Sequence, residues 1–180
     1  MGALESESLD KTSRRMFTLF AWLSLATIIV LFVYGVNESW AHPGLPVGQV
    51  WVDVYWPFPP FFAQPVTYFS VACIALFYSG LRLGEERIAR WPKPVHSFLQ
   101  LFGFIVAFSS AYEVIYNFIF WGGTYVAAAI EQSITIPDLL VSNYPAPWSF
   151  VFATRAFAAL FVISGYSVYF LRKMSKSRLI

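Results

Sequence analysis

Two charged side chains lie within long apolar stretches of the sequence. Glu113 stands in the segment Ala-Tyr-Glu-Val-Ile-Tyr-Asn, and Arg155 stands in the segment Ala-Thr-Arg-Ala-Phe. A charged residue at the centre of a membrane helix costs at least about 2.5–3.5 kcal/mol on insertion scales. Such residues usually pair with one another or mark a substrate or proton path. They are therefore the first candidates for a functional role.

The two charges lie at matching depths if their stretches are consecutive membrane helices. Glu113 is eight residues before Trp121, and Arg155 is seven residues after Trp148. At 1.5 Å per residue these offsets correspond to about 12 and about 10 Å. We therefore predict a Glu113–Arg155 ion pair that faces the interior of a helix bundle. Its role stays open between fixing the helix register and binding a substrate or a proton.

Helical spacing places further polar residues beside Glu113. Ser109, Tyr116 and Asn117 are each three or four residues away from it, so all of them share its side of a helix. We interpret them as a polar stripe around the predicted ion pair.

Aromatic residues are concentrated in the segment 37–60. Within it we predict an outer surface for a partner subunit, formed by Trp40, Trp51, Asp53, Tyr55 and Trp56. An aromatic belt at the lipid–water boundary and an aromatic–acidic cap for a cation are the other interpretations. The alternation over 50–55 favours an extended strip or a short interfacial segment. The Pro-rich run that follows excludes a regular helix.

Four apolar stretches are long enough to cross a bilayer as helices, which takes about 20 residues each. They cover about 16–36, 61–83, 97–121 and 148–171. The chain is 58% hydrophobic and 12% charged, whereas soluble domains are about 45–50% apolar and about 25% charged. The sequence thus predicts one integral membrane domain over 1–180, an all-α antiparallel bundle of four transmembrane helices with two outer loops rich in aromatic residues and proline.

The distribution of charge predicts the orientation of the chain. Of the 12 Lys and Arg residues, all except Arg155 lie in the two terminal segments or between the second and third spans. The loops 37–60 and 122–147 contain none. By the positive-inside rule, both termini are expected in the cytoplasm and the protein in the cell membrane. In the second of these loops, Gly122-Gly123 predicts a helix break before a short helix over 124–133.

Residues that could hold a metal or a cofactor are scarce. The chain has one Cys and two His, and His42 and His96 are expected on opposite sides of the membrane. Glu38, His42 and Asp53 could meet as a metal site, although their spacing matches no motif. We expect no metal and no cofactor. A net charge of +2 gives no reason to expect a nucleic-acid partner.

These observations favour a non-catalytic accessory or structural subunit of a larger membrane complex, such as a respiratory oxidoreductase or a monooxygenase assembly. Its expected partners are the lipid bilayer and other membrane subunits. The main alternative is a small homo-oligomeric transporter or channel with a site at Glu113 and Arg155. A membrane enzyme that acts on a lipid or a quinone is a third hypothesis, but no second catalytic group accompanies Glu113 or His42.

Overall fold

The computed structural model describes residues 11–54, 56–58, 61–131 and 147–177. Within them it contains six helices and two short strands. The bounds are α1 Lys11–Ala41, α2 Val47–Asp53, β1 Trp56–Phe58, β2 Phe61–Ala63, α3 Pro65–Leu83, α4 Glu85–Ala89, α5 Lys93–Glu131 and α6 Pro147–Ser177. Four of these helices are long and apolar enough to cross a membrane, over Lys11–Ala41, Pro65–Leu83, Lys93–Thr124 and Trp148–Ser175. The prediction of four membrane-spanning helices is thus supported.

Proline and glycine set the ends of α3. Pro65 is the first residue of the helix, where the missing N–H is not needed by the helix. Gln64 before it is extended, as expected for a residue that precedes proline. At the other end, the Gly84 N–H donates to the Gly80 carbonyl at 2.9 Å, and the chain then turns into α4. The two residue types therefore fix the length of the shortest span.

The predicted helix break at Gly122-Gly123 is wrong, because α5 continues through both glycines to Glu131. The Thr124 hydroxyl donates to the Phe120 carbonyl at 2.8 Å across this turn. A glycine inside a helix costs only about 0.5–1 kcal/mol, which continued backbone hydrogen bonding can offset. Residues 124–131 consequently belong to α5. Residues 132 and 133 of the predicted surface helix lie outside the described residues.

The segment between α1 and α3 differs from an extended strip. Residues 47–53 form α2, and β1 pairs with β2 in an antiparallel hairpin in which Trp56 lies opposite Ala63. The strand at 56–58 agrees with the exclusion of helix in the Pro-rich run. It also adds a small β element to a chain that was predicted to be all-α. The helix ends near α2 and this hairpin are called the hairpin end below.

Packing joins the long helices in pairs. Helix α5 packs mainly on α6, α1 packs on α3, and α3 also contacts α6. Helix α2 lies against α1, α3 and α6 at the hairpin end. Two buried apolar clusters result. One contains Val50, Trp51, Val52 and Val66, and the other contains Ile88, Phe170, Leu171 and Met174.

Candidate functional site in the long helices

The side of α5 that faces α6 carries small and polar residues at intervals of seven. Gly103, Ser110 and Asn117 are all buried there. A spacing of seven is nearly two helical turns, so the three residues form one line along the helix. Gly103 allows close approach, since a Cβ atom at this position would lie 3.0 Å from Val168 Cγ2 and 3.7 Å from the Ser164 carbonyl oxygen.

Asn117 makes a side-chain bond between α5 and α6. Its Nδ2 donates to Thr154 Oγ1 at 3.1 Å, and the Thr154 hydroxyl in turn donates to the Phe150 carbonyl at 2.7 Å. The ring of Phe120 stacks on that of Phe150 one turn away, with centroids 5.2 Å apart. This part of the interface therefore satisfies its polar groups within the chain.

Arg155 points towards a different element from the one that Thr154 contacts. Successive residues of a helix are turned by about 100°, so Arg155 points in a different direction from Thr154. Its Nη1 donates to Oε1 of Gln64, which is buried directly before α3. This bond ties α6 to the start of α3.

The predicted Glu113–Arg155 ion pair is not formed. Within the described residues, an ion pair joins Arg82 to Glu85 at 3.2 Å, and the His42 imidazole lies 3.5 Å from the Glu38 carboxylate. Arg155 is hydrogen-bonded to Gln64 instead, and the contact of Asn117 with Thr154 sets the register of α5 on α6. In this register Glu113 comes opposite residue 158, about 4.5 Å along the axis from Arg155.

The predicted polar stripe is divided between two surfaces. Asn117 is 6% exposed and faces α6. Ser109 and Tyr116 are exposed and face away from the other described helices. Glu113 is half-buried and lies at the border between the two surfaces. A spacing of three or four residues identified neighbours correctly but could not show which of them meets another helix.

An open cleft of about 330 Å³ lies between α5 and α6 near the hairpin end. Its lining residues are Asn117, Phe118, Trp121, Val151, Thr154 and Arg155. Amide, hydroxyl and guanidinium groups thus meet aromatic and aliphatic walls, a combination suited to an amphiphilic molecule with hydrogen-bond acceptors. Glu113 is not among the lining residues, so the cleft and the intramembrane carboxylate are separate features.

The predicted outer surface for a partner is only partly a surface. Trp40 is 83% exposed, and Asp53 is also exposed. Trp51 is only 4% exposed, so its assignment to a partner surface is wrong. Tyr55 lies outside the described residues, and Trp56 belongs to β1.

Trp51 is instead the centre of the apolar cluster at the hairpin end. Its Nε1 donates to the Leu31 carbonyl of α1 at 3.1 Å, and its ring lies 4.7 Å from that of Phe69. Gly35 makes room for it, since a Cβ atom there would clash with Trp51 Nε1. In the sequence, Gly35 near the end of an apolar helix could have indicated a close contact there. The many aromatic residues of the loop favoured a surface assignment for Trp51 instead.

Arg82 and His96 at the opposite end of the helices also make polar contacts within the chain. Arg82 contacts Glu85 at 3.2 Å and lies 5.9 Å from the ring centroid of Phe17. His96 is buried, and its Nε2 lies 2.9 Å from the Ile88 carbonyl oxygen, which accepts a hydrogen bond from it. No cluster of three or more potential metal ligands occurs among the described residues, so Glu38, His42 and Asp53 do not form one.

Comparisons of the chain with protein-family models, with curated proteins and with solved structures gave no match.

Proposed function

We propose that this protein is a non-catalytic accessory or structural subunit of a larger membrane complex, of the respiratory oxidoreductase or monooxygenase type. In this proposal the chain is one membrane domain, and its four long helices cross the cell membrane as an antiparallel bundle. Other membrane subunits and the lipid bilayer are its partners. It binds no cofactor and carries out no reaction by itself.

The observation that carries the proposal is the outward side of α5. Large aromatic side chains are exposed between residues 98 and 112, among them Phe98, Phe102, Phe108 and Tyr112. Polar residues interrupt this apolar surface near its middle, at Ser109, Glu113 and Tyr116. Lipid tails can cover the aromatic rings, but they offer nothing to a carboxylate or a hydroxyl. Another protein chain can offer both.

The described charges support the proposed orientation. Arg87, Arg90, Lys93, Arg172 and Lys173 are all exposed near the end of the helices opposite the hairpin. In the described part of the hairpin end, the exposed ionisable residues include Asp53 and no Lys or Arg. The positive-inside rule would therefore place the hairpin end outside and both chain termini in the cytoplasm.

Purification from native membranes tests the proposed role. A tagged full-length chain extracted in mild detergent should bring down other membrane proteins in a fixed stoichiometry. The matched control is an unrelated tagged four-helix protein from the same membranes. A lone monomer that retains no other chain would contradict the proposal.

Cysteine labelling tests the orientation separately. Trp40→Cys and Arg90→Cys are placed in a Cys73→Ala background and treated with a membrane-impermeant maleimide on intact cells. The cysteine at position 40 should react at once, and the one at position 90 only after permeabilisation. The reverse pattern would place the hairpin end in the cytoplasm.

A second candidate function, a small homo-oligomeric transporter or channel, is favoured by the cleft beside Asn117 and Arg155. A transporter or channel should carry solute across the membrane of liposomes that contain only the purified protein. Flux that is absent, or that is unchanged by Asn117→Leu, would remove the cleft as a transport site. Flux unchanged by Glu113→Gln would remove Glu113 from the path.

A further inference from the structure

Glu113 has no hydrogen bond or ion pair with any described residue of its own chain. It lies four to five residues from the midpoint of the span Lys93–Thr124, about 7 Å along the helix axis. Glu113 is half-buried at this depth. A carboxylate in this position needs a partner, because hydrocarbon neither hydrates nor bonds it.

Hydroxyl groups accompany Glu113 on the outward side. Ser109 and Tyr116 lie one turn before and one turn after it, and both are exposed. Tyr112 is 58% exposed, and its ring stacks on that of Tyr116 with centroids 6.2 Å apart. Together Ser109, Tyr112, Glu113 and Tyr116 form an outward patch, here called the Glu113 patch, with one acidic group among groups that can donate or accept.

The chain's own intramembrane cation does not neutralise this patch. The Arg155 guanidinium donates to Gln64 at the start of α3. The other described Lys and Arg residues lie near or beyond the ends of the spans. A second copy that packed through the same patch would bring two Glu113 carboxyl groups together, which like charges oppose. Charge complementarity therefore favours a different chain.

We propose that the Glu113 patch binds a transmembrane helix of a partner subunit that presents a Lys or Arg side chain to the Glu113 carboxylate. The inference rests on the proposed function, since it requires a complex, and it adds the chemistry of the partner. A helix fits because a spanning segment in lipid must satisfy its own backbone hydrogen bonds. The cation of the partner donates to the Glu113 carboxylate and neutralises its charge, while Ser109, Tyr112 and Tyr116 bond to polar groups beside it.

The first experiment measures partner retention. Tagged full-length wild type, Glu113→Gln and Glu86→Gln are purified from native membranes at equal amounts of inserted chain. Glu86 is an exposed carboxylate in α4, so its neutralisation controls for a general loss of charge. Glu113→Gln should retain at least tenfold less partner, whereas Glu86→Gln should match wild type.

The second experiment keeps Glu113 intact, so it does not depend on whether the Glu113→Gln variant folds. A photo-crosslinking phenylalanine analogue replaces Tyr112 or, separately, Tyr116 in the full chain in its native membrane. Mass spectrometry should identify a peptide of another membrane protein with a Lys or Arg inside its apolar span. The same analogue at Trp51, which is buried, is the control and should crosslink within the chain.

The outcomes separate the two proposals. Co-purifying subunits that Glu113→Gln retains within twofold of wild type would overturn the cationic partner and leave the complex intact. A crosslinked peptide without a basic intramembrane residue, or one from a second copy of this chain, would overturn it as well. If wild type itself retains no other chain, the proposed function fails and the inference falls with it.

Discussion

The two sides of α5 differ in whether their polar residues have partners within the chain. On the side towards α6, Asn117 is buried and bonded to Thr154. On the outward side, Tyr116 next to it is exposed, and Glu113 has no partner among the described residues. A polar side chain in hydrocarbon is stable only where another group satisfies it. The inward side therefore satisfies its polar groups within the chain, whereas our proposal assigns the outward side to a second molecule.

Tryptophan gives the largest expected contrast between inward and outward positions. Trp51 is 4% exposed and Trp22 is 66% exposed. Trp51→Ala should lower the free energy of unfolding of the chain in detergent by about 3–5 kcal/mol, because it leaves a cavity and removes the bond to Leu31. Trp22→Ala should change it by no more than about 0.5 kcal/mol. Equal effects in a denaturant titration followed by circular dichroism would break the contrast.

A double-mutant cycle can distinguish the observed partner of Arg155 from the one the sequence predicted. Gln64→Met and Arg155→Met should show a coupling free energy of about 1.5–3 kcal/mol, typical of a hydrogen bond to a charged group. Glu113→Gln and Arg155→Met should add to within about 0.5 kcal/mol, because they share no bond. The same unfolding titration measures both cycles. A coupling free energy well above about 0.5 kcal/mol in the second cycle would support the Glu113–Arg155 ion pair that the sequence predicted.

Glycine substitutions should act with opposite signs on inward and outward positions. Gly35→Ala forces a Cβ atom against Trp51 Nε1 and Val47 Cγ1, so we expect a loss of stability of about 1–3 kcal/mol. At Gly80 no atom lies within 4 Å of a Cβ atom. Gly80→Ala should therefore stabilise the chain by about 0.5–1 kcal/mol through the helix backbone. Thermal unfolding in detergent measures both changes in stability. A Gly35→Ala variant more stable than wild type would refute the close approach of Trp51 to Gly35.

The smallest expected effect concerns the neighbours Asn117 and Tyr116. Asn117→Ala removes the bond to Thr154 and should destabilise the isolated chain by about 0.6 kcal/mol, the average for such bonds between membrane helices. Tyr116→Phe removes an outward hydroxyl and should leave the isolated chain unchanged. In purification of the proposed complex, Tyr116→Phe should reduce the amount of retained partner more than Asn117→Ala does, which is the reverse of their order in stability. If Tyr116→Phe retains as much partner as wild type, no partner binds at Tyr116.

The spans could be predicted from the sequence because they depend on summed hydropathy and length. The described part of the Pro-rich run, residues 57 and 58, was also assigned correctly as non-helical, since proline excludes regular helix whatever surrounds it. Gly122-Gly123 was misassigned because the cost of glycine in a helix is small compared with what packing and backbone bonding contribute. The burial of Trp51 was missed because it depends on Gly35 and Phe69, which are distant in sequence.

The sequence by itself determined that this chain has four helices able to cross a membrane and that two charges, Glu113 and Arg155, lie far from the ends of these helices. These properties follow from local composition, which needs no knowledge of neighbours. Only the tertiary structure decided which groups those charges meet. The register of α5 on α6 and the rotation of each helix about its axis turn Asn117 inward, direct Arg155 to Gln64 and leave Glu113 at an outward border. Helix rotation and register arise from packing between distant segments, and a shift of one residue turns a side chain by about 100°.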